Sequence, residues 1–158
     1  QLIAAQRRYL HLGVPGHGFV IAIPIKSVGG GKAVAYMNGD TKNAKYTPAI
    51  NYDYELIVAI SNEGSTDMVM NAARAAGARG GTVLHGKGTG SKDAPKFYNI
   101  SIADEKEVIL IVSTAGQKAG IMRAILEKAG PDSKAGSIVF SIPTTEVAGF
   151  GVLDSSET

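Results

Sequence analysis

The segment "HGKGTGSK", which starts at His85, combines glycines with lysines directly after an apolar run. Gly88 and Gly90 would let backbone N–H groups approach an anion closely, and Lys87 would supply a compensating charge. The spacing does not fit G-x-x-x-x-G-K-[ST], so it does not predict a P-loop nucleotide triphosphatase. Taken alone, the segment is also typical of an ordinary glycine-rich turn, with His85 as a structural or solvent-exposed residue.

A second segment of this kind, "KAGPDSKAGS", carries Gly130, Lys134 and Gly136. It too could hold a phosphate, although Gly130 followed by proline is equally typical of a helix end and a turn. Both segments leave equivalent halves of a repeated pattern. We therefore expect oligomerisation to bring one loop against the other loop of a neighbouring subunit.

The elements that position these loops form a repeated unit. Two similar apolar runs, "ELIVAIS" from Glu55 and "EVILIVS" from Glu107, predict buried strands, each followed by a helical pattern and another strand. Ser65, Thr66 and Asp67 are predicted to cap the first helix, and Glu55 and Glu107 to lie at water-exposed edges.

This β-α-β pattern, occurring twice, predicts an α+β, ferredoxin-like fold with an antiparallel sheet and both helices on one face. The opposite face of the sheet would be left uncovered and apolar. We therefore expect a homo-oligomer.

The N-terminal residues repeat the second half of the unit. A helix pattern is followed by "GFVIAIPIKSVGG", which parallels "SIVFSIPTTEVAG", including Ile23-Pro24 and Ile142-Pro143. Residues 1–32 are thus predicted to be half of an upstream repeat, 33–53 a linker or loop, and 54–158 the complete domain. Because the sequence begins at Gln, we expect the natural polypeptide to extend upstream.

Composition excludes several classes of function. Sixteen basic against fourteen acidic residues give a net charge of only +2, without a basic stripe for nucleic acid. The chain has no cysteine, which excludes disulfides and thiolate metal sites and fits the cytoplasm. No apolar run approaches the roughly 18 residues of a membrane span, and the three histidines are not spaced as metal ligands.

Together the quoted segments, from Tyr54 to Phe150, resemble the core of the PII nitrogen-regulatory signalling proteins. The resemblance implies a homotrimer that binds an adenine nucleotide, such as ATP, ADP or AMP, in the clefts between subunits. It also implies a loop that docks on a regulated partner protein, and hence a sensor of a small-molecule effector and not an enzyme.

The resemblance assigns the phosphate or ribose contacts to the two glycine-bearing loops. Thr89 stands where the family has an aromatic residue, and Ser137 stands where a basic residue is expected. "TTEVAGFG" occupies the place of the family's triphosphate-binding arginines, and the signalling loop is short. The predicted ligand-binding residues are His85, Lys87, Gly88, Thr89, Gly90, Gly130, Lys134 and Gly136.

Two alternative functions follow from the same residues. A structural, self-assembling ferredoxin-like module would need no nucleotide. An enzyme acting on an anionic substrate would gather His85, Lys87 and Lys134 around it, although the spacing sets up no acid-base pair or nucleophile.

Overall fold

A computed structural model describes residues 2–12, 14, 17–24, 51–88, 96–97, 100–101 and 104–149. The chain divides into two compact units, Asp53–Ile142 and a smaller one formed by Gln1–Tyr52 with Pro143–Thr158. The described elements, in chain order, are α1 (Leu2–Tyr9), β1 (Val20–Ala22), β2 (Asn51–Asn62), α2 (Thr66–Ala75), β3 (Thr82–Gly88), β4 (Lys96–Phe97), β5 (Ile100–Ser101), β6 (Asp104–Thr114), α3 (Ala115–Ala129), β7 (Ile138–Thr144) and β8 (Glu146–Ala148).

The larger unit is built on a four-stranded sheet in the order β3-β6-β2-β7. β6 runs antiparallel to both of its neighbours, with Ile57 opposite Ile111 on one side and Val83 opposite Ile109 on the other. The outer strands each follow a crossover helix, which is the arrangement that two β-α-β halves produce. The predicted α+β, ferredoxin-like fold is confirmed.

One hydrophobic core joins the sheet to α2 and α3. Ile57, Ile109 and Ile111 of the sheet are fully buried against helix residues that include Val69 and Ile121. Burying each side chain of this size contributes roughly 1.5–3 kcal/mol. Because side chains alternate along a strand, the odd-numbered residues of β6 face the helices.

This alternation overturns the expectation for the two glutamates. Glu107 lies on the same face of β6 as Ile109 and Ile111, and its exposed fraction is only 6%. The side chain of Glu55 is 19% exposed. Neither glutamate therefore lies on a water-exposed edge.

The smaller unit contains α1, β1 and β8. β1 pairs antiparallel with β8, with Ile21 opposite Val147. The predicted helix-then-strand order is confirmed, whereas the assignment of residues 1–32 to an upstream repeat and the boundaries of 33–53 and 54–158 stay predictions. Residues 25–50 lie outside the described residues, and β2 already begins at Asn51.

No helix in the described part of the chain is long and apolar enough to cross a membrane.

Candidate anion-binding site

Gly88, where the first predicted loop begins, and the loop after α3 are linked within a single chain at one end of the sheet, through Lys106 and Asn62. β2 ends there at Asn62, opposite Lys106 near the start of β6, and β3 ends at Gly88, opposite Asp104. The loop after α3 joins this edge because the backbone amide of Asn62 donates a hydrogen bond of 2.8 Å to the carbonyl of Ala135. The described start of the first loop and the whole of the second are therefore connected at the same end of the sheet.

Asn62 and Lys106 connect the two loops through their side chains. The Asn62 Nδ2 group donates to the carbonyl of Lys134 at 3.0 Å, and the Lys106 Nζ group donates to Asn62 Oδ1 at 2.6 Å. The alkyl part of Lys106 lies against Gly88, where an added Cβ would be 2.9 Å from Lys106 Cε. A side chain at position 88 would therefore require the Lys106 side chain to shift.

Sequence reasoning missed both of these residues. Asn62 directly follows the apolar run "ELIVAIS", and Lys106 directly precedes "EVILIVS". One signal could have found them. A polar residue at the end of one strand and a polar residue at the start of its antiparallel neighbour lie at the same end of the sheet. The hydrogen bond between their side chains depends on the antiparallel register of β2 and β6, which cannot be read from the sequence.

The structure separates Gly88 from Lys87 and His85. Val83 packs against the core, so by alternation His85 and Lys87 project on the helix face of β3 and Gly88 on the other. Lys87 forms an exposed ion pair with Glu105, with 3.3 Å between Nζ and Oε1. His85 is exposed. Neither side chain projects to the face that carries Lys106.

Most backbone amides of the loop after α3 are already engaged. The amides of Ser133, Ala135 and Gly136 bond within the loop, and that of Ser137 donates to the Ala129 carbonyl. Gly130 ends α3, where its amide donates to the Leu126 carbonyl and an added Cβ would clash with the same oxygen. These groups stabilise the loop itself, so an anion here would rely mainly on lysine side chains.

Two further glycine-loop positions have structural roles. Gly136 has a φ of +55°, a conformation that favours glycine, and lies against the Asn62 side-chain amide. Ser137, at the place of an expected basic residue, is fully buried, and its Oγ lies 2.7 Å from that of Ser61. A lysine at 137 would have to leave this interior position. Thr89 and Gly90 lie outside the described residues.

Glu107 accepts hydrogen bonds at the N-terminus of α2. Its carboxylate receives the amides of Gly64 and Ser65 at 3.0 and 3.1 Å and the hydroxyl of Thr66 at 2.7 Å. Burial acts to raise the pKa of Glu107, but these hydrogen bonds outweigh it and lower that pKa below its ordinary value. A cross-strand carboxylate thus replaces the predicted capping by Ser65, whose side chain makes no capping bond.

Glu55 is held at the opposite end of β2 by Lys118, with 2.7 Å between Oε1 and Nζ. The hydrogen bond from Lys118 lowers the pKa of Glu55, with a smaller contribution from Ser141, against the opposing effect of burial. Glu55 and Glu107 therefore have separate partners and do not form an acid-base pair.

The described residues contain no group of three or more His, Asp or Glu side chains that could hold a metal ion. His11 and His17 lie near each other in the smaller unit, with ring centroids 6.4 Å apart.

Comparison with known proteins identifies the family. The family model "Nitrogen regulatory protein P-II" matches residues 54–150. The chain belongs to the nitrogen regulatory P-II family. This confirms the resemblance carried by the repeated strands and places this P-II protein among signalling proteins.

Solved structures similar to this P-II protein include that of Arabidopsis thaliana PII bound to citrate. It is 22% identical, with 59% of this chain and 76% of that chain covered and a TM-score of 0.44. Another is a putative PII-like signaling protein from Thermus thermophilus, at 13% identity, with 57% and 84% covered and a TM-score of 0.44. No curated protein sequence matches the chain.

Proposed function

We propose that this P-II protein is a regulatory protein that binds a small anionic effector at the sheet edge formed by Asn62, Lys106 and the loop 130–136. The observation that carries the proposal is the hydrogen bond from Lys106 to Asn62, which joins the two glycine-bearing loops. An adenine nucleotide, ATP, ADP or AMP, is the proposed effector class.

Lys106 is suited to this role because it is partly shielded and held in position. Its side chain is 27% exposed, and Asn62 fixes the ammonium while Gly88 leaves room for the stem. A fixed, partly desolvated cation loses less side-chain entropy on binding an anion than a mobile surface lysine. Asp104, 3.9 Å from the Lys106 ammonium, is a loose partner that an anion would outcompete.

Lys134 supplies a second positive charge at the same edge. The backbone carbonyl of Lys134 accepts a hydrogen bond from the Asn62 side chain. Lys134 is exposed, so its ammonium is available to solvent and to a ligand. Two lysines and few unengaged amides favour a ligand with a compact negative charge, such as a phosphate or carboxylate group.

Family membership supports the signalling steps that we propose beyond ligand binding. In this proposal the effector lies in a cleft between subunits of a homotrimer, and the segment after Gly90 changes its position for a regulated partner protein in the cytoplasm. The chain acts as a sensor and not as an enzyme. His85 and Lys87 project on the other sheet face from Lys106, so no observation favours the enzymatic alternative.

Isothermal titration calorimetry with ATP, ADP, AMP, cyclic AMP and citrate tests the proposal directly. We expect at least one of these anions to bind at millimolar or lower concentration, with affinity that falls as salt rises. The absence of binding by all of them to a folded oligomer would leave the structural self-assembling module as the function.

Two lysine variants locate the site. Lys106→Gln should weaken binding of the titrated anion by about tenfold or more, because it removes the fixed charge. Lys87→Gln, on the neighbouring strand but on the other face, should change the affinity by less than about threefold. An equal loss in both variants, with folding retained, would place the anion elsewhere.

A further inference from the structure

The segment between α1 and β1 places two histidine side chains beside each other. α1 ends at Tyr9, and His11 and His17 follow before β1 begins. Their ring centroids are 6.4 Å apart and the ring planes meet at 71°, so the rings are not stacked face to face. Both residues are exposed, and both belong to the smaller unit. Their spacing along the sequence did not predict this pair.

The backbone holds His11 in a conformation that is uncommon for a residue with a side chain. Its φ is +50°, in the left-handed region, at a position after a helix end where glycine is most frequent. The amide of Leu12, whose side chain is buried, donates a 3.2 Å hydrogen bond to the carbonyl of Arg7 and closes the helix end. A residue other than glycine is strained in this conformation, so a use for the imidazole ring explains histidine here better than the backbone geometry does.

Two short turns bring His17 back to His11. The amide of Val14 donates to the carbonyl of His11 at 3.3 Å, and the amide of His17 donates to the carbonyl of Val14 at 3.1 Å. The backbone of Gly18 lies against Gly149, where an added Cβ would be 2.6 Å from the Gly18 carbonyl oxygen. The two rings therefore approach each other on a backbone that is fixed on both sides.

The ring of His17 has one nitrogen free for a ligand. Its Nδ1 lies 3.4 Å from the backbone carbonyl of Leu10. A carbonyl oxygen only accepts, so Nδ1 carries the proton and Nε2 keeps its lone pair. Metal-binding histidines are commonly oriented by such a contact to the other ring nitrogen. The His11 ring has no hydrogen-bond partner among the described residues, so rotation about its Cβ–Cγ bond can aim a nitrogen at the same point.

The distance between the rings favours one coordination geometry. With metal–nitrogen bonds of about 2.0–2.1 Å, two imidazole rings on opposite sides of one ion have centres about 6.4 Å apart, compared with about 5.2 Å at the tetrahedral angle. The observed separation of 6.4 Å fits the opposite arrangement, which square-planar Cu²⁺ and Ni²⁺ adopt. Tetrahedral Zn²⁺ would require the rings to move about 1 Å closer.

Neighbouring charges limit the kind of ion further. Arg7 and Arg8 occupy the last turn of α1, so an ion held mainly by its charge is disfavoured. Ca²⁺ and Mg²⁺ are ions of this kind, and they prefer oxygen ligands. Cu²⁺ and Ni²⁺ bind imidazole nitrogen, and the carbonyl groups at the C-terminal end of α1 offset part of the arginine charge.

We propose that His11 and His17 form a binding site for a divalent late transition-metal ion, Cu²⁺ first and Ni²⁺ second, with water in the remaining positions. The bound ion ties the end of α1 to the residues that lead into β1 and restricts the turn between them. The site goes beyond the proposed effector function, because both ligands belong to the smaller unit, whereas Asn62 and Lys106 belong to the larger one.

Titration of the full chain with Cu²⁺, in a buffer that contains glycine as a weak competitor, tests the site. We expect one tightly bound ion per chain, and a loss of affinity of about tenfold or more in both His11→Asn and His17→Gln. Asn is chosen at position 11 because it tolerates a positive φ. His85→Gln, at the third histidine, is the matched control and should change the affinity by less than about threefold. Wild-type affinity in either of the first two variants, or an equal loss in the control, would overturn the inference.

Electron paramagnetic resonance of the Cu²⁺-loaded chain identifies the nitrogen ligands directly. The nitrogen hyperfine pattern should report two imidazole nitrogens in the wild-type chain and a single one in each of His11→Asn and His17→Gln. A single nitrogen in the wild-type chain would contradict the proposal, and this readout does not depend on any variant keeping the turn intact. Neither result bears on the effector site, which calorimetry tests separately in the presence of a chelator.

Discussion

The replacement of Glu107 by Gln is the most direct test of how the described fold is held together at the candidate site. The buried carboxylate accepts three hydrogen bonds from the first turn of α2 and its entrance. In Gln, one oxygen can keep the bonds from Ser65 and Thr66. The new NH₂ group then faces the amide of Gly64, so that two donors oppose each other.

The magnitude follows from these contacts. Leaving the Gly64 amide unpaired costs about 1–2 kcal/mol, and two bonds that lose their charged acceptor weaken by about 1 kcal/mol each. Loss of the favourable charge at the helix N-terminus adds up to about 0.5 kcal/mol. A neutral amide costs less to bury than a carboxylate, and this difference offsets part of the loss. We therefore expect a net destabilisation of about 2–3 kcal/mol.

The pH dependence gives the prediction a second, independent readout. Because the folded-state pKa of Glu107 is lowered, its contribution is present above the unfolded-state pKa of about 4.3. That contribution is lost as pH falls through the folded-state value. The stability difference between the wild-type and Glu107→Gln chains should thus be constant from about pH 5.5 to 7 and shrink below about pH 4.

Urea unfolding followed by circular dichroism measures both quantities. Glu105→Gln is the matched control, because Glu105 lies on the same strand and its ion pair with Lys87 is exposed. It should change the free energy of unfolding by less than about 0.5 kcal/mol. If Glu107→Gln costs no more than this control, or costs the same at pH 3.5 as at pH 7, the buried carboxylate does not stabilise the start of α2.

Three other predictions concern the same unit and are measured by the same urea titrations. Ser65→Ala should cost less than about 0.5 kcal/mol and Thr66→Val about 1 kcal/mol, because only the Thr66 hydroxyl bonds to Glu107; the opposite ranking would restore Ser65 as the cap. Ser113→Ala should leave the free energy of unfolding unchanged or raise it by up to about 1 kcal/mol, because the buried Ser113 Oγ has no hydrogen-bond partner among the described residues. Ser61→Ala should lower it by about 1–2 kcal/mol, because it leaves the Ser137 hydroxyl unpaired. Equal effects of the two alanine substitutions would contradict this assignment. Gly136→Ala should cost about 1–2 kcal/mol because of its positive φ and its contact with Asn62, whereas Gly120→Ala, in an open position of α3, should stabilise by up to about 1 kcal/mol; a tolerated Gly136→Ala would mean that the loop can rearrange.

Much of the fold was predictable because it depends on periodicity and order along the chain. The apolar runs from Glu55 and Glu107 and the helical patterns after them require a sheet covered on one side by helices, as observed. The exposure of the two glutamates was predicted wrongly. A glutamate at the start of an apolar run resembles an edge residue until the position of α2 is known, and only the fold brings the Gly64 and Ser65 amides to Glu107.

The candidate site was predictable as a region but not as a set of side chains. In the letters "HGKG" the lysine and the glycines are contiguous, yet a strand sends alternate residues to opposite faces. Lys87 consequently pairs with Glu105 on the helix face, while the space left by Gly88 on the other face is filled by Lys106, which is distant in sequence. The cation nearest to a glycine in a strand-end motif is therefore best sought on the partner strand, two register positions away, and not beside the glycine in sequence.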